Sequence, residues 1–276
     1  MEEECRAATG IVRRITENCD SEASSACFRF TLCACCKPGI PFFPAAFAAS
    51  GGDENAISFA FGTENSGLLN ACIENDKKPL PVEEVAGCVS AGFLQALMPL
   101  ENAGEEVART FTADNGVRPS FLGIDPSINP GLDHESIVDA FAKLGCAFGD
   151  PGTLAITAMI TKGLREIPVE LCGYAGLMLP VCEDRGLAAS YSKGAVRLAD
   201  FLTLSSVCGV GLDTMPISGK VSDKVITGIF LDVCALALKW QKQLSCGRSS
   251  SPAGSCLALV RVRGRQHNST RHIWWT

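Results

Sequence analysis

Three segments of the chain share one design, an apolar run, a glycine-bearing turn, and a carboxylate beside a proline or at a helix start. They are Gly123-Ile-Asp-Pro-Ser-Ile-Asn-Pro130, Gly173-Tyr-Ala-Gly-Leu-Met-Leu-Pro-Val-Cys-Glu-Asp184 and Ser206-Val-Cys-Gly-Val-Gly-Leu-Asp-Thr-Met-Pro216. Carboxylates at such turns can bind a cation, exchange protons or cap a helix. The first two uses make Asp125, Glu183, Asp184 and Asp213 candidate catalytic groups. Asp125, Glu183 and Asp213 also form an oxygen-donor set suited to magnesium or a similar divalent cation. Gly176 and Gly211 would let a ligand approach the backbone closely. Structural uses stay open: Asp133 or Asp184 could cap helices, and Asp125 could accept bonds from its own turn.

Other nucleophiles and ligands are fewer. Cys208 and Cys172 each precede a glycine at an expected strand, where substrate could reach a thiolate; the alternative is that both are small core residues. Cys33-Ala-Cys-Cys36 offers thiolates for zinc, but no second Cys/His pair at finger spacing accompanies it. His134 is the only histidine before the tail, and Gly-x-Ser-x-Gly is absent, so a Ser-His-Asp hydrolase is disfavoured. Acid-base chemistry then falls to carboxylates, Cys, Lys and Tyr, which keeps Lys162, Tyr174 and Tyr191 as candidates. Gly209-Val-Gly211 lacks the third glycine of a dinucleotide loop, and no Walker loop occurs.

These groups need a scaffold, and the periodicity supplies one. Helices are expected over Glu2–Ile15, Pro81–Asp114 (with a break near Pro99), Ser136–Leu144, Thr153–Glu166 and Ser222–Trp240, with another after Glu183-Asp184. Strands are expected over Phe28–Cys36, Ile57–Phe61, Phe121–Asp125, Tyr174–Leu179 and Val207–Leu212. Alternation of strands with helices predicts an α/β fold with a largely parallel sheet or barrel, and ligands in such folds gather at the carboxyl ends of strands. Lys37-Pro-Gly-Ile-Pro-Phe-Phe-Pro44 holds three prolines and must be an ordered loop. One domain over 1–246 is expected. The arginine-rich, acid-free segment 247–276 loses periodicity and reads as a poorly ordered tail.

Composition narrows the function classes. The 276 residues are 47% hydrophobic and 20% charged, which excludes a disordered or fibrous protein. A formal net charge of −6 argues against nucleic-acid binding. The start Met1-Glu-Glu-Glu4 is acidic where a targeting signal needs basic residues, and no apolar run is long enough for a membrane span. The 15 cysteines scatter through apolar runs, as reduced thiols of a soluble cytoplasmic protein would.

Taken with Phe28-Arg-Phe and Pro38-Gly-Ile-Pro-Phe-Phe-Pro-Ala-Ala46, the three segments resemble the domain of unknown function 711 family, also called uncharacterised protein family 0210. The resemblance covers about Phe28 to Leu244. It implies a partial or complete ten-stranded α/β barrel like that of pyruvate formate-lyase-type glycyl radical enzymes, without the radical machinery. It also implies a homodimer, a cavity, and a partner of the amino-acid-sensing ACT-domain kind. In such a barrel Phe42 and Phe43 would enter the mouth on the proline-rich loop. Arg29 would pair with an anionic substrate or with one of the acids, unless it only makes a strand-edge salt bridge. The radical echoes, Cys35-Cys36 and Arg261-Val-Arg-Gly264, are short and common patterns. Relative to the family both ends depart, and we expect a truncated chain with a shifted reading frame after about Cys246. The expected function is binding of a small polar molecule, with catalysis through carboxylates and a divalent cation. The alternatives are a regulatory sensor without turnover, or a fragment with no function of its own.

Overall fold

A computed structural model describes residues 1–18, 30–37, 40–42, 46, 56–73, 79–113, 116–128 and 135–247. Arg29, Phe43, Asp133, His134 and the 248–276 segment, including Arg261 and Gly264, lie outside these described residues.

The described chain mixes strands and helices, consistent with the α/β expectation. Strand β1 (Leu32–Ala34) and β2 (Ser58–Gly62) follow helix α1 (Glu2–Asn18). Helices α2 (Ser66–Ile73) and α3 (Val82–Thr110) lead to β3 (Ser120–Asp125). Four more helices follow: α4 (Ile137–Lys143), α5 (Thr153–Arg165), α6 (Arg185–Ser192) and α7 (Leu198–Leu204). Strand β4 (Gly211–Leu212), helix α8 (Asp223–Trp240) and strand β5 (Leu244–Cys246) complete the order.

Pairing is parallel except at one edge. β2 runs parallel to β3, β4 runs parallel to β5, and β1 lies antiparallel on the other side of β5. The segment between the two sheets was expected as a strand over Tyr174–Leu179 and is not one. Leu171 bridges Ile124 and Leu177 bridges Ile128, both in parallel, so six steps along one chain face four along the other. The surplus is taken up by a bulge with left-handed residues Gly173 (φ 71°) and Ala175 (φ 45°). Beyond it the Gly209 N–H donates to Leu177 O at 2.6 Å, which joins the second sheet. The described residues thus hold five strands in two linked sheets. An α/β fold is present, and a closed ten-stranded barrel is not shown.

Side chains alternate across the strands as pleating demands. Leu177, Leu179 and Leu212 face the helices and pack in the main core with Phe93, Phe141, Ile160 and Phe230. Tyr174 and Val210 face the other way, where they meet Ile40, Cys33, Cys36 and Met178 in a second small cluster. α3 does not break at Pro99. The proline and the preceding turn at Gln95 are exposed, so the carbonyl that loses its partner can turn to water.

Gly176 and Gly209 meet where the bulge crosses the start of the next strand. A Cβ on Gly176 would sit 2.5 Å from Gly209 Cα, against backbone that cannot swing aside. Gly176→Ala is expected to destabilise the fold by about 1–3 kcal/mol through overpacking. Urea unfolding checks this, and an unchanged midpoint would show that the crossing has slack.

Candidate active site at the carboxyl ends of the strands

Four acids were expected to ring the strand ends, and the structure divides them. Asp125 is 4% exposed and fully engaged. Its Oδ1 accepts the Ser127 N–H (3.0 Å), the Ser127 hydroxyl (2.6 Å) and the Ala175 N–H (3.0 Å), while Oδ2 accepts the Tyr174 N–H at 3.0 Å. Its carboxylate is the clamp of the 173–176 bulge. Gly173 is required there, because a Cβ would lie 2.1 Å from Asp125 Oδ2.

Asp184 is likewise a structural acid. Its Oδ1 caps α6 by accepting the Gly186 and Leu187 N–H groups at 2.9 and 2.8 Å. The same carboxylate reaches the start of α4, accepting the Ser136 hydroxyl at 2.6 Å and the Ile137 N–H at 2.8 Å. One carboxylate therefore serves two helix N-termini, where backbone donors and the helix dipole both favour an anion. At 1% exposed, it has no face left for a ligand.

Glu183 and Asp213 have a different environment. Val181 N–H pairs with Asp213 O at 3.4 Å, so Glu183 and Asp213 leave neighbouring stretches of chain together. Burial pushes the Asp213 carboxyl up to about 8; Glu183 pushes it in the same direction, and the Thr214 backbone N–H partly offsets this. Glu183 is also raised, first by burial and then by Glu64, with the Thr214 side chain pulling it back. That hydroxyl lies beside Glu183 without forming a well-aligned hydrogen bond, and it is otherwise buried. Thr214 holds a left-handed backbone (φ 36°), costly for a β-branched residue and often found at functional positions. Both acids are half-buried.

Glu64 is the member that sequence reasoning missed. It follows β2 by two residues, in Gly62-Thr-Glu64, with no proline or glycine-rich turn after it to mark it. The available signal was its position just past a strand end. Phe42 lies nearby: its ring would stand 2.9 Å from a Cβ on Gly62, the last residue of β2. Thus Phe42 does reach the strand ends, two residues from Glu64.

The remaining candidates are structural in their contacts. Cys208 is completely buried, and its Sγ accepts the Gly211 N–H at 3.3 Å, so no substrate reaches it. Burial pushes the Cys172 thiol up to about 12, with Asp125 and Glu170 adding to the effect, which makes it a poor nucleophile. Gly211 (φ 113°) accommodates β5 rather than a ligand, since a Cβ would meet Ser245 O at 2.4 Å. Tyr191 donates to Pro216 O, and Lys162 forms an exposed pair with Glu166. Cys36 lies beside Cys33, whose thiol lowers the Cys36 pKa against the effect of burial. Among the described residues no three His, Cys, Asp or Glu side chains converge as a metal-ligand set. The expected trio of Asp125, Glu183 and Asp213 is not assembled, because Asp125 is consumed by its bulge.

Fold and site together define an α/β protein with largely parallel strands and two neighbouring acids of raised pKa, Glu183 and Asp213. The chain belongs to the family described as uncharacterised ACR (DUF711), whose family model matches residues 2–247. Among curated relatives, a UPF0210 protein of Pyrobaculum aerophilum is 28% identical over 232 residues, covering 82% of this chain and 50% of its own length. One from Methanococcoides burtonii is 27% identical with 83% and 50% covered, and one from Syntrophotalea carbinolica 25% with 92% and 55%. The chain spans about half the length of the curated relatives it matches. Among the described residues no helix is long and apolar enough to cross a membrane.

Proposed function

We propose that the protein handles a small polar molecule at the Glu183 and Asp213 pair, with Glu64 near Glu183 and the two acids of the pair acting as a proton-sharing general acid–base couple. The observation that carries this reading is the Asp213 pKa of about 8 beside an acid that is itself raised. Two neighbouring carboxyls that resist joint ionisation hold one proton near neutral pH, which is the condition for efficient proton transfer. Such perturbed pairs concentrate at functional sites. A cationic group, either a substrate ammonium or a divalent ion with water completing its shell, would displace that proton.

Calorimetric titration with magnesium, and separately with small diamines, tests this in two buffers of different ionisation enthalpy. Binding is expected to release a proton from the native chain and to lose that release in Asp213→Asn. Absence of saturable heat with every cation, or the same proton release in the variant, sinks the reading. Binding without turnover of any bound metabolite would make the protein a sensor rather than an enzyme. The glycyl-radical-type barrel, homodimer, ACT-domain partner and cytoplasmic location belong to the same proposal and are best tested on the longer relatives as well as on this chain.

A further inference from the structure

We propose a second binding site, for a small metabolite bearing an oxyanion, between Arg165 and Lys242 at the amino-terminal side of the strands. It is separate from the acid pair and does not rest on it. A cavity of about 480 Å³ opens there, within the size range of small-molecule sites. Gly209, which begins the path into β4, forms part of its wall, and so does Gln243, next to β5.

The charge in the cavity is one-sided. Arg165 and Lys242 both line it, and no carboxylate does. Neither cation has an acidic partner at ion-pair distance among the described residues. The plainer account is that the cations answer the carbonyl ends of helices, since α5 ends at Arg165, α8 at Trp240 and α7 just before Ser205. That account uses only part of them. Lys242 Nζ donates one bond to Ser205 O at 2.8 Å, and Arg165 Nε donates one to Ala175 O at 3.2 Å. Among the described residues, the two terminal nitrogens of Arg165 and two protons of Lys242 make no further hydrogen bond. Burial lowers the Lys242 pKa; the Cys208 sulfur opposes this and Arg165 adds to it. Lys242 is half-buried and Arg165 exposed; two cations facing one cavity repel each other, and an oxyanion held between them would relieve that repulsion. Phosphate and carboxylate share this chemistry, and Trp240, exposed at the rim, offers a ring face to the body of the molecule.

The test is calorimetric titration of the full chain with inorganic phosphate and with malonate at physiological salt. One saturable site is expected, weakened roughly tenfold or more in Arg165→Gln and in Lys242→Gln, the loss of a charge-assisted bond. Lys242→Arg keeps the charge and should keep the binding. Phosphate binding alone identifies a phosphorylated metabolite, and malonate binding alone a carboxylate. No saturable binding of either probe, or equal affinity in both glutamine variants, overturns the proposal. Should Lys242→Gln fail to fold because the Ser205 contact is lost, Arg165→Gln and Lys242→Arg decide the matter.

Discussion

Asp213→Asn is expected to stabilise the protein at pH 8.5–9 and to flatten its stability between pH 5 and 9. The sign follows from linkage. The folded Asp213 pKa is raised from 3.8 to about 8, so the folded state favours the protonated form. Its relative stability is complete below about 3.8, falls as the pH rises, and is lost once the pH passes about 8. At about 1.4 kcal/mol per pH unit the full difference would be on the order of 5 kcal/mol. Because Asp213 keeps some contact with solvent, about half of that, ~2–3 kcal/mol, is a fairer expectation. In a chain of this size that corresponds to roughly 5–10 °C in the unfolding midpoint. The titration belongs to the pair, so Glu183→Gln should move the Asp213 transition downward. Thermal unfolding across the pH range checks both. Parallel curves for wild type and Asp213→Asn would mean that the acids do not share a proton.

The neighbouring acid should respond in the opposite sense. Asp184→Ala removes the acceptor of four hydrogen bonds, from the Ser136 hydroxyl and the Ile137, Gly186 and Leu187 N–H groups. The site is almost completely buried, so water cannot replace the carboxylate without opening the fold. Each donor left unmet costs about 1–3 kcal/mol, and a lost helix cap about 1 kcal/mol. With partial relaxation, a loss of about 4 kcal/mol or more is expected, lowering the midpoint by roughly 10 °C. Asp184→Asn keeps an acceptor oxygen and should be milder. A loss below about 1 kcal/mol in the alanine variant would show that the two helix starts are not held by this carboxylate.

Those contrasting outcomes for residues 213 and 184 show what the sequence reveals and what it leaves open. Helices at Glu2–Asn18, Val82–Thr110, Thr153–Arg165 and Asp223–Trp240 were legible because their apolar faces repeat at helical spacing. The family was legible from its long glycine- and proline-bearing segments, and Asp125 and Asp213 do fall at the ends of β3 and β4. The division of labour among the carboxylates was not legible. Asp125 and Asp213 sit in similar motifs, yet Asp125 meets backbone donors about fifty residues away, at Tyr174 and Ala175, whereas Asp213 meets another acid. Such partners depend on strand pairing, which local sequence does not encode. The same limit hid Glu64. The 174–179 run is apolar enough to read as a strand, but left-handed backbone at Gly173 and Ala175 makes it a bulge. β5 is only three residues long, after the polar Gln241-Lys-Gln243 approach, and carries too little pattern to be recognised.

One short stretch of chain joins both ends of the sheet. Gly209 lines the basic cavity, and Asp213 belongs to the acid pair four residues later. Between them the backbone is bonded on both sides: Gly209 N–H to Leu177 O at 2.6 Å, Ser245 N–H to Val210 O at 2.7 Å and Gly247 N–H to Leu212 O at 2.6 Å. A stretch held this way behaves as a strut, with no loose residue to absorb a displacement. A ligand that shifts Gly209 would carry Asp213 with it, and by thermodynamic reciprocity a proton or cation arriving at Asp213 would alter affinity at the far end by the same factor.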